Sequence, residues 1–339
     1  MVRVLLTGGA GFIGSHTALA LLEAGHSPLI VDDLSNAHPD SISRIAQISG
    51  VAIPALIVDV RDEAAVSGFL QEHGPVDAVI HLAGLKAVGE SVAQPERYYD
   101  VNIGSTLALL RVMKKHEIHN LVFSSSATVY GASENVPHAE DAHVGHGISN
   151  PYGKTKHMIE EILRDVSAAD EQLRITALRY FNPVGAHPSG LIGEDPRGVP
   201  NNLMPIVARV ASGALDSVVV FGDDYPTSDG TGVRDYIHVQ DLAQGHVRAA
   251  ERALPGFEAI NLGTGVPASV LDVIREYGAA AGLNIPYRVA KRRPGDIAVS
   301  YADVSKARAV LDWQAKRTLA DACRDDWAWQ QNGAKLRQA

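Results

Sequence analysis

The chain has 339 residues, 46% of them hydrophobic and 20% charged, and a formal net charge of −9. That length suits one large domain or two lobes, and the charge argues against a general binder of nucleic acid or anionic membrane. Cys323 is the only cysteine, so an intrachain disulfide is excluded; with no apolar run near the ~20 residues of a membrane span, a cytoplasmic setting is the simplest expectation.

Residues 2–7 read as a short buried strand, followed by Gly8-Gly9-Ala10-Gly11-Phe12-Ile13-Gly14 and a helical run over 15–24. Glycines spaced this way allow a tight turn and let backbone approach a pyrophosphate at the helix N-terminus. A second strand over 27–31 ends at Asp32-Asp33, close to the spacing of a carboxylate that binds an adenosine ribose. Such an acid would repel the 2′-phosphate of NADP, so it favours NAD.

The alternation continues with a strand over 52–58 ending at Asp59, a helix over 62–73, and a strand over 76–82 running into Ala83-Gly84-Leu85-Lys86. A further strand over 121–124 leads into Ser125-Ser126. The pattern predicts an α/β fold, a parallel sheet with helices on both faces, whose ligands sit beyond the carboxyl ends of the strands. Asp32, Asp59, Lys86 and Ser126 all fall there. Ser126 either donates to a substrate oxygen or caps its own turn, and the residues alone leave both open. The polar loop 131–150 carries His138, His143 and His146. Their loose spacing without a thiolate reads as a solvated loop, and no metal site is expected.

Asn150-Pro151 has the signature of a helix start, with Asn as N-cap and Pro in the first turn. The helix is expected to run to about Ala169, with Met158, Ile159, Ile162, Leu163 and Val166 as an apolar stripe for packing or a subunit interface. Tyr152 and Lys156 stand one turn apart on it. Bringing a phenol from ~10 to ~7 takes about 4 kcal/mol, and a unit charge at ~4 Å in an effective dielectric of ~20 supplies about that. The pair can serve as a base and its activator, or simply form a solvated helix face, and its spacing alone does not choose between them. Beyond it, a strand over 175–180 precedes Asn182, and Asn202 opens a helical run whose free N–H groups suit an anion. Arg234 and Arg293 offer planar forks for a pyrophosphate or a ribose, and Asp296 can accept from ribose hydroxyls. A helix over 239–253 and a strand over 259–263 look like a return to the first lobe. The expected division is a dinucleotide-binding domain over 1–181, with 236–266 packing back onto it, and a substrate lobe over 182–339.

Five collinear strings carry a resemblance: 83–91, 123–131, 179–190, 200–205 and 230–238. Over nearly its whole length the chain resembles the UDP-glucose 4-epimerases, extended members of the short-chain dehydrogenase/reductase superfamily. The resemblance implies a Rossmann-type doubly wound sheet with a smaller, discontinuous C-terminal α/β lobe, and NAD that stays bound through each turnover. It implies Tyr152 as the base for the sugar 4-hydroxyl, with Lys156 lowering its pKa and Ser126 orienting the oxygen. Around the cofactor it places Gly8, Gly11, Phe12, Ile13 and Gly14, then Asp32, Asp33 and Asn36. Asp59 and Val60 follow, then Leu82, Ala83, Gly84 and Lys86, with Ser126, Tyr152, Lys156 and Phe181 completing the set. Around a UDP-hexose it places Lys86, Ser126 and Tyr152, then Asn182, Asn201, Asn202 and Leu203. Val219, Phe221, Arg234, Arg293, Asp296 and Ser300 close that side.

The family commonly has Asn where this chain has Val101, and Asn102 is expected to point away from the cofactor. Galactose-restricted bacterial members resemble one another in a bulky Tyr at the position of Ser300, so a small residue implies room for an N-acetylated sugar. The family also implies a homodimer through helices over 102–116 and 152–169. Rival readings are a sugar-nucleotide 4,6-dehydratase, decarboxylase or uronate epimerase, a plain dehydrogenase with exchangeable NAD, and a non-catalytic dinucleotide sensor. A dehydratase places an Asp-Glu pair after its active-site threonine, where this chain has Ala127-Thr128-Val129.

Overall fold

The structure, a computed structural model, describes residues 1–195, 202–293 and 295–336. Its first half alternates strands β1 (Arg3–Thr7), β2 (Ser27–Asp32), β3 (Ala55–Ile57), β4 (Ala78–His81), β5 (Asn120–Ser126) and β6 (Arg174–Tyr180) with helices. The helices are α1 (Phe12–Glu23), α2 (Asp40–Ser49), α3 (Glu63–His73), α4 (Val88–Ala93), α5 (Pro95–Lys115) and α6 (Pro151–Ala169). The second half adds β7 (Asn182–Val184), β8 (Val218–Phe221), β9 (Val233–His238), β10 (Gly256–Leu262), β11 (Pro267–Ser269), β12 (Tyr287–Ala290) and β13 (Val299–Ser300). Its helices are α7 (Leu203–Ala211), α8 (Val239–Arg252), α9 (Val270–Ala281) and α10 (Leu319–Leu336).

Seven strands form one parallel sheet in the order β10-β6-β5-β4-β1-β2-β3. Continuous apolar runs such as Val4-Leu5-Leu6 suit strands covered on both faces. The alternation of side chains splits them between two cores. Val4, Leu6, Ile30, Ile80, Val122 and Leu178 face the core shared with α1 and α8. Leu5, Leu29, Val79, Leu121, Phe123 and Ile175 face the core shared with α5 and α6. Strand order reverses between β1 and β4, and the crevice beyond the carboxyl ends there is where such sheets bind ligands. The chain leaves the sheet after β6, returns through α8, which packs on α1, and adds β10 beside β6 in register from Gly256↔Arg174 to Leu262↔Tyr180. A smaller layer pairs β9 with β7, β11 and β13, and β8 with β12, over a core that includes Val207, Tyr277 and Cys323.

Several boundaries differ from expectation. The first helix begins at Phe12 rather than Ser15, because Gly11 already serves as N-cap and the glycine loop closes sooner. The strand expected over 52–58 contracts to Ala55–Ile57, since Pro54 lacks the N–H a ladder needs; its carbonyl still accepts from Ile30. The helix expected over 102–116 starts at Pro95, one turn after the short α4. The loop around 131–150 is not uniformly solvated: His138 is buried and stacks on Tyr130 at 4.7 Å between ring centres, while His143 and His146 stay exposed. Among the described residues no three metal-ligating side chains converge, and no helix is long and apolar enough to cross a membrane.

Candidate active site

β1 delivers the chain into the glycine loop. Gly8 takes a left-handed φ of 72° and donates its N–H to Val31 O on β2 at 2.8 Å. A Cβ on Gly14 would lie 2.2 Å from Gly8 O, so only glycine lets α1 start so close to the strand. Gly11 differs, because a Cβ there would touch nothing nearer than Gly8 O at 3.4 Å. Internal packing does not demand glycine at that position; the space it leaves is open to a ligand. The α1 N-terminus has no side-chain cap and no acid in its first turn, so its N–H groups suit an anionic group. Phe12 and Ile13 form that turn.

Asp32 ends β2 and is buried; its carboxylate accepts from Ala10 N at 2.9 Å and Leu34 N at 2.8 Å. Burial raises its pKa, opposed by those N–H donors. The glycine loop and the acid are thus tied together through Ala10. Asp33 accepts from Ser35 N, and both Asp33 and Asn36 are exposed beside it. Asp59 is not free: three contacts from Arg61, including 2.7 Å from Nη2, hold its carboxyl below the usual range. Val60 behind it is buried.

Beyond β4, the loop carrying Leu82, Ala83, Gly84 and Lys86 is tied down by a residue the sequence reading passed over. Asn102 on α5 accepts from Leu85 N at 2.7 Å and donates to Leu85 O at 3.1 Å and Thr155 Oγ1 at 3.0 Å. Asn102 is buried, and its side chain is taken up by these bonds to Leu85 and Thr155. Lys86 reaches Glu194 Oε1 at 3.1 Å, and Asn202 Nδ2 donates to the same oxygen at 3.1 Å. Glu194, 108 positions from Lys86, likewise lacked any local signal.

Asn150 caps α6 through Gly153 N at 2.9 Å with Pro151 in the first turn, as its residues predict. Tyr152 thereby comes over the end of β5, close enough to Ser126 for the serine to favour the charged form of its phenol. Ser126 Oγ accepts from Thr128 N at 3.2 Å, so the serine caps its own turn. Lys156 Nζ donates to Ser124 O at 2.6 Å and lies 5.9 Å from the Tyr152 ring centre. Burial pushes Lys156 down to about 8.

The electrostatics differ from expectation in one respect. In the ligand-free chain burial pushes the Tyr152 phenol up, and what opposes it is the Ser126 hydroxyl and then the Lys86 ammonium, rather than Lys156. Lys156 spends its proton on a backbone carbonyl, and desolvation of the phenol outweighs the distant charge.

On the opposite side of the crevice Phe181 is buried, packed with Val129, Tyr130 and Ala302. Asn182 follows it, exposed, and β7 pairs with β9 there. Asn202 is the N-cap of α7, with no side-chain cap bond, and Leu203 is its first residue. Asn201 lies outside the described residues. Arg293 sits over the exposed Phe221 ring at 4.8 Å and binds Asp296 at 2.9 Å; Val219 is two residues back on β8. Arg234 donates to Val233 O at 2.8 Å and stands opposite Ser300 in the β9–β13 register. Ser300 is buried and Tyr301 half-buried.

Residues 4–263 match the family described as NAD dependent epimerase/dehydratase family. The chain is 52% identical over 331 residues to the UDP-glucose 4-epimerase of Bacillus subtilis (strain 168), covering 97% of each. It is similar to the crystal structure of UDP-glucose 4-epimerase from Bifidobacterium longum in complex with NAD+ and UDP, with a TM-score of 0.93, 52% identity, and 98% of this chain and 99% of that one covered. The Stenotrophomonas maltophila UDP-glucose-4-epimerase with bound NAD and formylated UDP-arabinopyranose superposes with a TM-score of 0.95 at 49% identity, covering 100% of both chains.

Proposed function

Because the chain belongs to the NAD dependent epimerase/dehydratase family, and within it to the UDP-glucose 4-epimerases, we propose that it interconverts UDP-glucose and UDP-galactose at the crevice described above. The observation that carries the reading is the buried Tyr152 phenol at the carboxyl end of the sheet, with Ser126 favouring its charged form and Lys156 one helical turn away, 5.9 Å from its ring centre. The glycine loop from Gly8 to Gly14 and Asp32 would hold NAD, with Asn102 fixing the Gly84–Lys86 loop on the other side. What bound NAD supplies is reversible acceptance of the C4 hydride, which makes the reaction an isomerisation without net redox change.

The chain's own residues do the rest. Tyr152 takes the proton of the sugar 4-hydroxyl and returns it to the epimer, with Ser126 orienting that oxygen. Its phenol must ionise for this, and the Lys86 ammonium already favours the charged form. Asn182, Asn202 and Leu203, together with Asn201, bind the nucleotide's diphosphate side. Val219, Phe221, Arg234, Arg293 and Asp296 anchor the uridine end, so the sugar can turn about its diphosphate linkage and present either face. Asp296 and Arg293 are paired in the ligand-free chain, which holds both at the crevice. A 4,6-dehydratase is not favoured, since the turn Ala127–Tyr130 after Ser126 carries no acid.

Three finer statements belong to this reading. Ser300 admits the acetamido group, so UDP-GlcNAc and UDP-GalNAc are also interconverted. Two copies pair through α5 and α6, whose outward-facing Leu107 and Met158 remain exposed in the single chain. The enzyme works in the cytoplasm, in galactose metabolism.

Incubating purified protein with UDP-galactose and no added NAD tests the proposal. UDP-glucose should form, denatured protein should release about one dinucleotide per chain, and Tyr152→Phe should lose ~10²–10⁴-fold in turnover while still binding UDP. An empty protein that needs added NAD and accumulates NADH would be a dehydrogenase instead.

A further inference from the structure

Three consecutive residues of β5 meet three residues spaced one turn apart on α6. Ser126 lies beside the Tyr152 phenol and favours its charged form, the Ser124 carbonyl accepts from Lys156 Nζ at 2.6 Å, and Ser125 Oγ donates to Glu160 Oε1 at 2.5 Å. From Ser124 to Ser126 the strand advances about 6.6 Å, and from Tyr152 to Lys156 the helix advances about 6 Å, so these contacts stay in step. Glu160 itself is fully buried. Arg179 grips it through Nε to Oε1 at 3.1 Å and Nη2 to Oε2 at 2.8 Å, and Arg179 is the register partner of Ser125 across β5 and β6. The guanidinium also donates to Tyr130 Oη at 3.1 Å, and that hydroxyl donates to Asn261 on β10 at 2.6 Å. A buried ion pair of this kind is weak as a source of stability, because apolar side chains of equal volume would pack as well.

We propose that Glu160 is a positioning residue for the reaction: held by Ser125 and Arg179, its carboxylate fixes how α6 is turned and seated against β5, and places a buried negative charge one helical turn from Lys156. The groups facing Lys156 are the Ser124 carbonyl and the Phe123 ring, 4.9 Å away, from β5 and Tyr152 and Glu160 from α6. His81 faces it from β4, held neutral by burial and by the lysine itself, and on β6 the buried Tyr180 feels Tyr152 in turn. Among these, Glu160 is the one that counters desolvation of the ammonium.

The inference rests on Tyr152 as the base. The test is the pH profile of kcat for the NAD-loaded enzyme at saturating UDP-galactose, in Glu160→Gln and in Ser125→Ala. Glu160→Gln keeps the shape and removes the charge. Its high-pH limb should move to lower pH by about one unit, a tenfold loss above the limb, with KM changed less than about threefold. Ser125→Ala keeps the charge and loosens the seat, so kcat should fall several-fold at every pH with the limb in place. A folded Glu160→Gln with the wild-type profile overturns the proposal. Should Glu160→Gln not fold, Ser125→Ala decides: an unchanged kcat overturns it as well. If Tyr152→Phe retains activity, the base itself is misassigned, whereas an inactive Tyr152→Phe beside an unmoved limb sinks only the role of Glu160.

Discussion

A strand turns successive side chains to opposite faces, so Ser300 and Tyr301 cannot both look into the same space. The proposed acetamido activity depends on which of them does. Ser300→Tyr would crowd a closed position at a cost of about 1–3 kcal/mol, roughly 5- to 150-fold in rate. We expect that loss in kcat/KM for UDP-GlcNAc, with UDP-galactose largely spared; equal losses on both substrates would remove Ser300 from the gate. Residues differed in how far the sequence revealed them. Tyr152, Ser126 and the cap Asn150 were legible because helix-start chemistry and one-turn spacing are local. Asn102 and Glu194 were not, because each acts on a loop or lysine that only the folded chain brings near. The direction of the Tyr152 shift was also hidden, since spacing gives a charge's distance and not the burial that competes with it.

At the scale of elements, the glycine loop and α1 form a tightly constrained join. Gly14→Ala would drive a methyl carbon to 2.2 Å from Gly8 O and 2.7 Å from Gly9 Cα, backbone on both counts. We expect α1 to shift off the strand, nucleotide content on purification to fall well below one per chain, and the melting temperature to drop. Gly68→Ala on α3 is the contrast: nothing lies within 4 Å, so it should stabilise by about 0.4–1 kcal/mol and keep its nucleotide. Normal nucleotide content in Gly14→Ala would mean the loop can relax and the cradle is not rigid. The strands and helices of the first lobe were largely readable from apolar runs and glycine punctuation, whereas α2, α4, α9, α10 and the short strands β8, β11, β12 and β13 were not read at all. Element ends were less legible: α5 begins seven residues before its expected start, because Pro95 opens a helix that hydrophobic spacing alone does not mark.

Across the whole molecule, acid is the condition the fold is least prepared for. His16 and His81 are held down to about 3 and His246 to about 4, each by burial, against an ordinary value of 6.5. Above that value their contribution is fully present. As pH falls through it, the unfolded chain takes up protons that the folded one refuses, and stability is lost. Asp326, pushed up to about 7 by burial, works in the opposite sense, as do Asp32 and Glu140. His116, His138 and His187 are lowered in the same sense, so the histidines outnumber these carboxyls and stability falls as pH drops from about 6 towards 4.5. Urea midpoints compared at pH 7.5 and 5 should show it, and equal midpoints would mean these histidines are hydrated.

Strand β10 has a consequence for how the protein is made. Ribosomes deliver the chain from its N-terminus, and β6 emerges long before Gly256, its partner to Arg174, has been synthesised. Until then the central sheet ends in an unpaired edge, and everything from β7 to α8 must be translated before that edge can close. A nascent chain stalled within residues 182–255 is therefore the form most prone to pair with its neighbours on a polysome, and the one a chaperone would have most reason to hold.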